Sequence, residues 1–234
     1  MKNLDKVKWI RVKTSVHFLD MVAYIKKNPY SEDKGYGFDF FEADDIKVNA
    51  TYIEKTEKIE TITSPSGEEI HQVYIDYESI KFSLRPASKH LVLLAVYNPP
   101  KTIKKLTDRL SKDFNYNFGF GNITIDLNQY IDYLIRSKSI HLLNIEKVKV
   151  SEIVLNGSSR AKIEITSKNN ALNELRSMLD NENYSVDKIR VTCSIDGQRS
   201  FVEISKTAFI NSDSNHLVFY SDYLIEQLAM DEFR

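Results

Sequence analysis

Asp196 and Gly197 sit at the centre of VDKIRVTCSIDGQRSFVEIS, residues 186–205, and no other stretch limits the fold so tightly. A two-residue type I′ turn needs positive φ at both central positions, which Asp-Gly tolerates, and it can join only antiparallel neighbours. Ile189, Val191, Cys193 and Ile195 alternate along the first arm and predict one buried face, with Phe201 and Val202 as their candidates across the turn. KIETITSPSGEEIHQVYIDY, residues 58–77, signals a second hairpin that turns at Pro65-Ser66-Gly67.

Helical patterns are interleaved with these strands. KWIRVKTSVHFLDMVAYIKKN, NITIDLNQYIDYLIRS and HLVFYSDYLIEQLAM each read as a short apolar strand, a capping residue and an amphipathic helix. In the second, Asp126 is the predicted N-cap, and Leu127, Tyr130, Ile131 and Leu134 recur at helical spacing. In the third, Ser221 caps, and Tyr223, Leu224, Gln227 and Leu228 follow. The DYLI shared by residues 132–135 and 222–225 fits an internal duplication. From residue 142 onward the pattern predicts the order ββαβββα. The expectation is an α+β fold of hairpin-rich antiparallel sheets with amphipathic helices packed on them. Two similar lobes are one arrangement this allows, an N-terminal lobe over 1–139 and a C-terminal lobe over 140–234, parted at the polar RSKS of 136–139.

Charge carries the first functional signal. The net charge is only −1, yet the chain is polarised along its length. Lys2, Lys6, Lys8, Arg11 and Lys13 crowd the N-terminal strand against Asp5 alone, whereas residues 32–60 carry nine carboxylates against four lysines. LVLLAVYNPPKTIKKLTDRLSKDF, residues 91–114, reads as a buried strand, a Pro-Pro helix start and a three-turn helix. Ile103, Leu106 and Leu110 form its apolar stripe, and Lys101, Lys104, Lys105, Arg109 and Lys112, with Asp108 among them, form its polar one. Directly afterwards DFNYNFGFGN sets Phe114, Tyr116, Phe118 and Phe120 at every second position, on one face of a strand. Such rings either enter a core or stack bases beside cations that follow phosphates; core packing is the leading expectation.

The chain is therefore read as a non-catalytic binding subunit of a bacterial or phage multiprotein assembly that handles nucleic acid, genome defence being one example. Lys101, Lys104, Lys105, Arg109 and Lys112, with Lys8, Arg11 and Lys13, are the candidate nucleic-acid contacts. The alternative is a protein–protein adaptor in which the acidic region 32–60 and its aromatic loop, the mobile loop expected for YSEDKGYGFDFF with Tyr36, Phe38, Phe40 and Phe41, meet a basic partner; the DFFEADD within that region, with Asp39, Glu42, Asp44 and Asp45, reads as a solvated acidic turn. A metal-dependent nuclease is a third reading. It would need Asp196, Glu203 and Lys206 together, although a carboxylate and a lysine three residues apart face opposite ways on a regular strand. No cofactor is expected, since phosphate-binding and dinucleotide-binding glycine patterns are missing. Cys193, the one cysteine, excludes an intramolecular disulfide and reads as a small buried hydrophobe. The N-terminus lacks the apolar run of a secretory signal, so a cytoplasmic location without a membrane partner is expected.

Overall fold

The computed structural model describes residues 4–44, 46–154, 159–179 and 184–231, and the side chains of these except 4, 152 and 227–231. Lys2, Asp45 and the side chains of Gln227 and Leu228 thus lie outside the described residues. Strand β1 (Leu4–Thr14) opens the fold, and the chain divides into two compact units, one of residues 12–120 and one of residues 1–11 with 121–234.

In the unit of residues 12–120, α1 (Phe18–Lys27) leads into β2 (Tyr36–Ala43), β3 (Val48–Thr63), β4 (Glu69–Pro86) and β5 (Leu91–Tyr97). These four strands pair antiparallel in sequence order. Alternation places Val48, Ala50 and Tyr52 beside Leu84, Phe82 and Ile80 on the buried face. Residues 36–41, expected as part of a mobile loop over 30–41, instead belong to a paired strand. Gly37 makes this possible, because a Cβ there would lie 2.4 Å from the Tyr30 backbone. The hairpin turning at 64–68 is longer than the motif implied: Thr63 faces Glu69, and pairing runs unbroken to Val48 and Leu84.

Helix α2 (Lys104–Asp113) buries Leu106 and Leu110 as its spacing predicts. It does not start at Pro99-Pro100, however. Ile103 occupies the N-cap, and the prolines belong to the connection from β5. The unit ends in β6 (Phe118–Asn122), and the expected four-ring strand is shorter than its pattern. Asn115 and Tyr116 take left-handed backbone at φ 52° and 59°, which ends α2 and breaks the alternation. Tyr116 points outward, 77% exposed, while Phe118 is buried and stacks on Phe114 with centroids 4.8 Å apart.

In the unit of residues 1–11 and 121–234, α3 (Leu127–Arg136) is followed by β7 (Ile140–Val154), β8 (Arg160–Thr166), α4 (Ala171–Met178), β9 (Ser185–Ile195), β10 (Gln198–Ser205), β11 (Phe209–Asp213) and α5 (Leu217–Asp231). The order ββαβββα is present, but its last strand is β11 and not the HLVFY segment read as a strand from the sequence. Strand order is β8-β7-β9-β10-β11-β1, all antiparallel. Asp126 caps α3 as predicted, accepting from the N–H groups of Asn128 at 2.9 Å and Gln129 at 3.4 Å. Asp196 and Gly197 have φ of 50° and 79°, as a type I′ turn requires. That turn sets Val202 opposite Val191 and Ser200 opposite Cys193, so Val202 joins the buried row and Phe201 faces the other way, beside Thr192.

The third strand–helix reading needs correction. LVFY is the first turn of α5 and not a strand, and Ser221 lies inside the helix, its hydroxyl donating to the Leu217 carbonyl at 2.8 Å and accepting from Trp9 Nε1 at 3.3 Å. Tyr130 of α3 donates to the Tyr220 carbonyl at 3.1 Å, which ties α3 to α5 inside the core. The fold is α+β, and among the described residues no helix is long and apolar enough to cross a membrane.

Candidate nucleic-acid interface

Strand periodicity builds two unlike faces in the second unit. On one, Val7, Ile210, Val202, Val191 and Val148 are buried with α3, α4 and α5. Alternate residues, by the same registers, occupy the other. There Lys6 and Lys8 of β1 lie opposite Asn211 and Phe209 of β11. Glu203 of β10 lies opposite Arg190 of β9 and Asn211, while Phe201 lies opposite Thr192. Beyond them come Lys188 of β9, then Lys147 and Lys149 of β7, with Glu164 and Lys162 of β8 at the edge.

Cations outnumber carboxylates on this face. Lys188 Nζ and Arg190 Nη2 both donate to Glu203, at 2.9 and 3.0 Å, and the Arg190 guanidinium sits 5.4 Å from the Phe201 ring centroid. Burial, the largest single influence on Glu203, raises its carboxyl pKa, but the hydrogen bonds from Lys188 and Arg190 outweigh it and hold the group below the ordinary glutamate value. Lys147 pairs with Glu164, and Arg199 Nη2 lies 3.7 Å from Glu146. Lys149 and Lys162 are exposed. Arg190 Nε and Asn211 Oδ1 are buried without a hydrogen-bond partner among the described residues. At one end Leu142, Thr192, Ser194, Gly197 and Arg199 wall a hollow of about 320 Å³, at the lower end of the size of small-ligand sites.

Of the residues singled out by sequence, Lys8 belongs to this face, its ammonium donating to the Thr207 carbonyl and its pKa lowered by burial. Arg11 lies against Gly121, where a Cβ would stand 3.5 Å from its Nε. Lys13 is exposed. The helical stripe is in the other unit and is divided in its roles. Lys101, Lys104 and Lys112 are exposed, whereas Lys105 is engaged by Glu78 at 2.9 Å and Thr56 at 2.7 Å. Arg109 pairs with Asp113 at 3.4 Å and covers the Tyr36 ring. Tyr52, Glu54, Lys105, Asp108, Arg109 and Lys112 surround a hollow of mixed charge.

The aromatic set of β2 is divided too. Phe38 is 2% exposed and packs on Tyr24, Tyr52 and Phe82, so it belongs to the core. Tyr36 carries Arg109, Phe40 lies under Lys26, and Phe41 is 55% exposed. Asp196 and Glu203 do not converge: with Asp196 in the turn and Glu203 five strand steps beyond Gln198 on β10, they stand about 17 Å apart or more by strand rise. Among the described residues no three His, Cys, Asp or Glu side chains gather as metal ligands. The face built by Phe201, Phe209, Lys188 and Arg190 comes from the consecutive strands β9, β10 and β11, and it was not legible as a site because the register across the turns decides which parity of each strand faces outward. Compared with known proteins, the chain matches no family model and no curated sequence.

Proposed function

We propose that this protein is a non-catalytic, nucleic-acid-binding subunit of a bacterial or phage assembly, and that it binds through the polar face of the β8-β7-β9-β10-β11-β1 sheet. The observation that carries the reading is the sheet face opposite the one that α3, α4 and α5 cover, on which Lys6, Lys8, Lys147, Lys149, Lys162, Lys188, Arg190 and Arg199 surround Phe201 and Phe209. Cations spaced over several strands suit a phosphate chain, and ring faces suit unstacked bases. The unpartnered Nε of Arg190 supports it, since a buried donor gains most from an anionic acceptor.

Fluorescence anisotropy with single- and double-stranded oligonucleotides at two salt concentrations tests the proposal. Binding should weaken steeply with salt. Replacing Lys149, Lys162 and Arg199 together by Ala should lower affinity for every sequence and flatten the log–log salt slope by about 0.7 to 0.9 per lost phosphate contact. Replacing Lys101, Lys104 and Lys112 by Ala is the comparison that separates the sheet face from the helical stripe. Absence of binding at low salt, or an unchanged slope in the first variant, rejects the reading.

A further inference from the structure

The β3–β4 ribbon outruns its neighbours. Pairing of β2 with β3 stops at Glu54 and pairing of β5 with β4 stops at Phe82, so between Lys55 and Lys81 the ribbon has only its own two strands among the described residues. Its two outer edges then present backbone groups that no strand satisfies. The edges differ. On β3 the stretch holds Lys55, Glu57, Lys58 and Glu60, with Lys55 paired to Glu32 and Lys58 to Asp76, a charged edge that disfavours a further strand. On β4 it reads IHQVYIDY, residues 70–77, in which Asp76 is the one carboxylate and there is no lysine or arginine. Val73, Tyr74, Ile75 and Tyr77 are all 43% exposed or more, and Ile59, 70% exposed, flanks Val73 across the ribbon.

We propose that the β4 edge pairs with the same edge of a second copy of this chain, antiparallel about a two-fold axis at Tyr74. A two-fold axis normal to a sheet makes residue i of one strand face residue j of the other with a constant even sum. Centred on Tyr74, this register sets Val73 against Ile75 of the second copy, Gln72 against Asp76, His71 against Tyr77 and Ile70 against Glu78. No two like charges meet, Val73 and Ile75 meet each other, and Asp76, which Lys58 already engages within the ribbon, lies beside an amide. The row Ile59–Val73 extends into Ile75 of the second copy, which makes one apolar stripe across β3, β4 and the added strand. A second copy is favoured over an unrelated strand because the edge complements itself, whereas the lysine-guarded β3 edge leaves the four-stranded product closed to further growth.

An edge this short buries less than the roughly 1,200 Å² of a standard interface, so the association is measured at tens of micromolar protein by sedimentation equilibrium. The wild-type chain should sediment as a dimer, and Val73→Lys with Ile75→Lys as a monomer with an unchanged circular-dichroism melt. The register is tested separately. Opposite Cα atoms across a strand pair are close enough for a disulfide, so Tyr74→Cys should yield a covalent dimer under mild oxidation. Ile70→Cys, about 26 Å from its own copy in this register, should not, and the wild type, whose Cys193 is buried, should not either. A monomeric wild type, a dimer that Tyr74→Cys does not trap, or equal trapping by Ile70→Cys overturns the proposal.

Discussion

The guanidinium carbon of Arg109 lies 3.6 Å from the ring centroid of Tyr36. This contact, with the Arg109–Asp113 pair, makes an apparently free surface cation part of the packing of α2 on β2. Arg109→Ala should lower stability by about 1–3 kcal/mol, and Arg109→Lys should restore little of it, because an ammonium offers no planar face. Lys104→Ala, at an exposed position of the same helix, should stay within about 0.5 kcal/mol of wild type. Urea midpoints of the three variants decide it, and equal midpoints for Arg109→Ala and Lys104→Ala would contradict the structural role.

Tyr220 donates to Ser200 Oγ at 2.9 Å and lies 3.2 Å from Cys193 Sγ, all three buried. Removing the hydroxyl leaves Ser200 without that donor in a buried site. Tyr220→Phe is expected to cost about 1–3 kcal/mol in chemical denaturation. Pairing it with Ser200→Ala should recover part of that loss, and strict additivity of the two changes would show that the bond contributes nothing.

Glu203 connects the polar face to acid sensitivity. Its folded-state pKa is depressed, so its contribution is present in full above the unfolded glutamate value of about 4.3 and is lost as pH falls through the lower folded value. Glu203→Gln should therefore be less stable at pH 7, where Lys188 and Arg190 lose their counter-charge, and should lose less than wild type on acidification. Parallel stability curves for the two proteins below about pH 5 would refute this assignment.

Burial, the largest influence on the Cys193 thiol, raises its pKa above the ordinary value. A thiol-labelling reagent at pH 8 should react slowly with the native protein and stoichiometrically in denaturant, the ratio reporting the opening of β9. Rapid native labelling would mean that the strand is not closed over the thiol.

Local chemistry made much of this fold legible. Asp196-Gly197 needs only its two neighbours to form a turn, and Asp126 needs only the next two N–H groups to cap α3. Tertiary context overrode local preference elsewhere. LVFY has the branched and aromatic content of a strand, yet Tyr220 and Ser221 find partners in Tyr130, Ser200 and Trp9 when the segment is helical. FNYNF alternates like a strand, but Asn115 and Tyr116 adopt the left-handed turn that ends α2. Phe201 was hidden by a single step of parity, since the type I′ register decides whether it or Val202 enters the core.

Leu4–Lys8 pair with Phe209–Asp213, and this has a cost in time during synthesis. Translation at roughly 5–20 residues per second delivers the partner strand on the order of 10–40 seconds after β1 emerges. Throughout that interval Val7 and Trp9 have no β11 to pair beside and no α5 to cover them. The hairpin at Asp196-Gly197 closes within microseconds once made, so the pairing of Leu4–Lys8 with Phe209–Asp213 waits on synthesis where that hairpin does not. A nascent chain stalled before residue 209 would therefore lack the strand that pairs Leu4–Lys8 and the helix that covers Trp9.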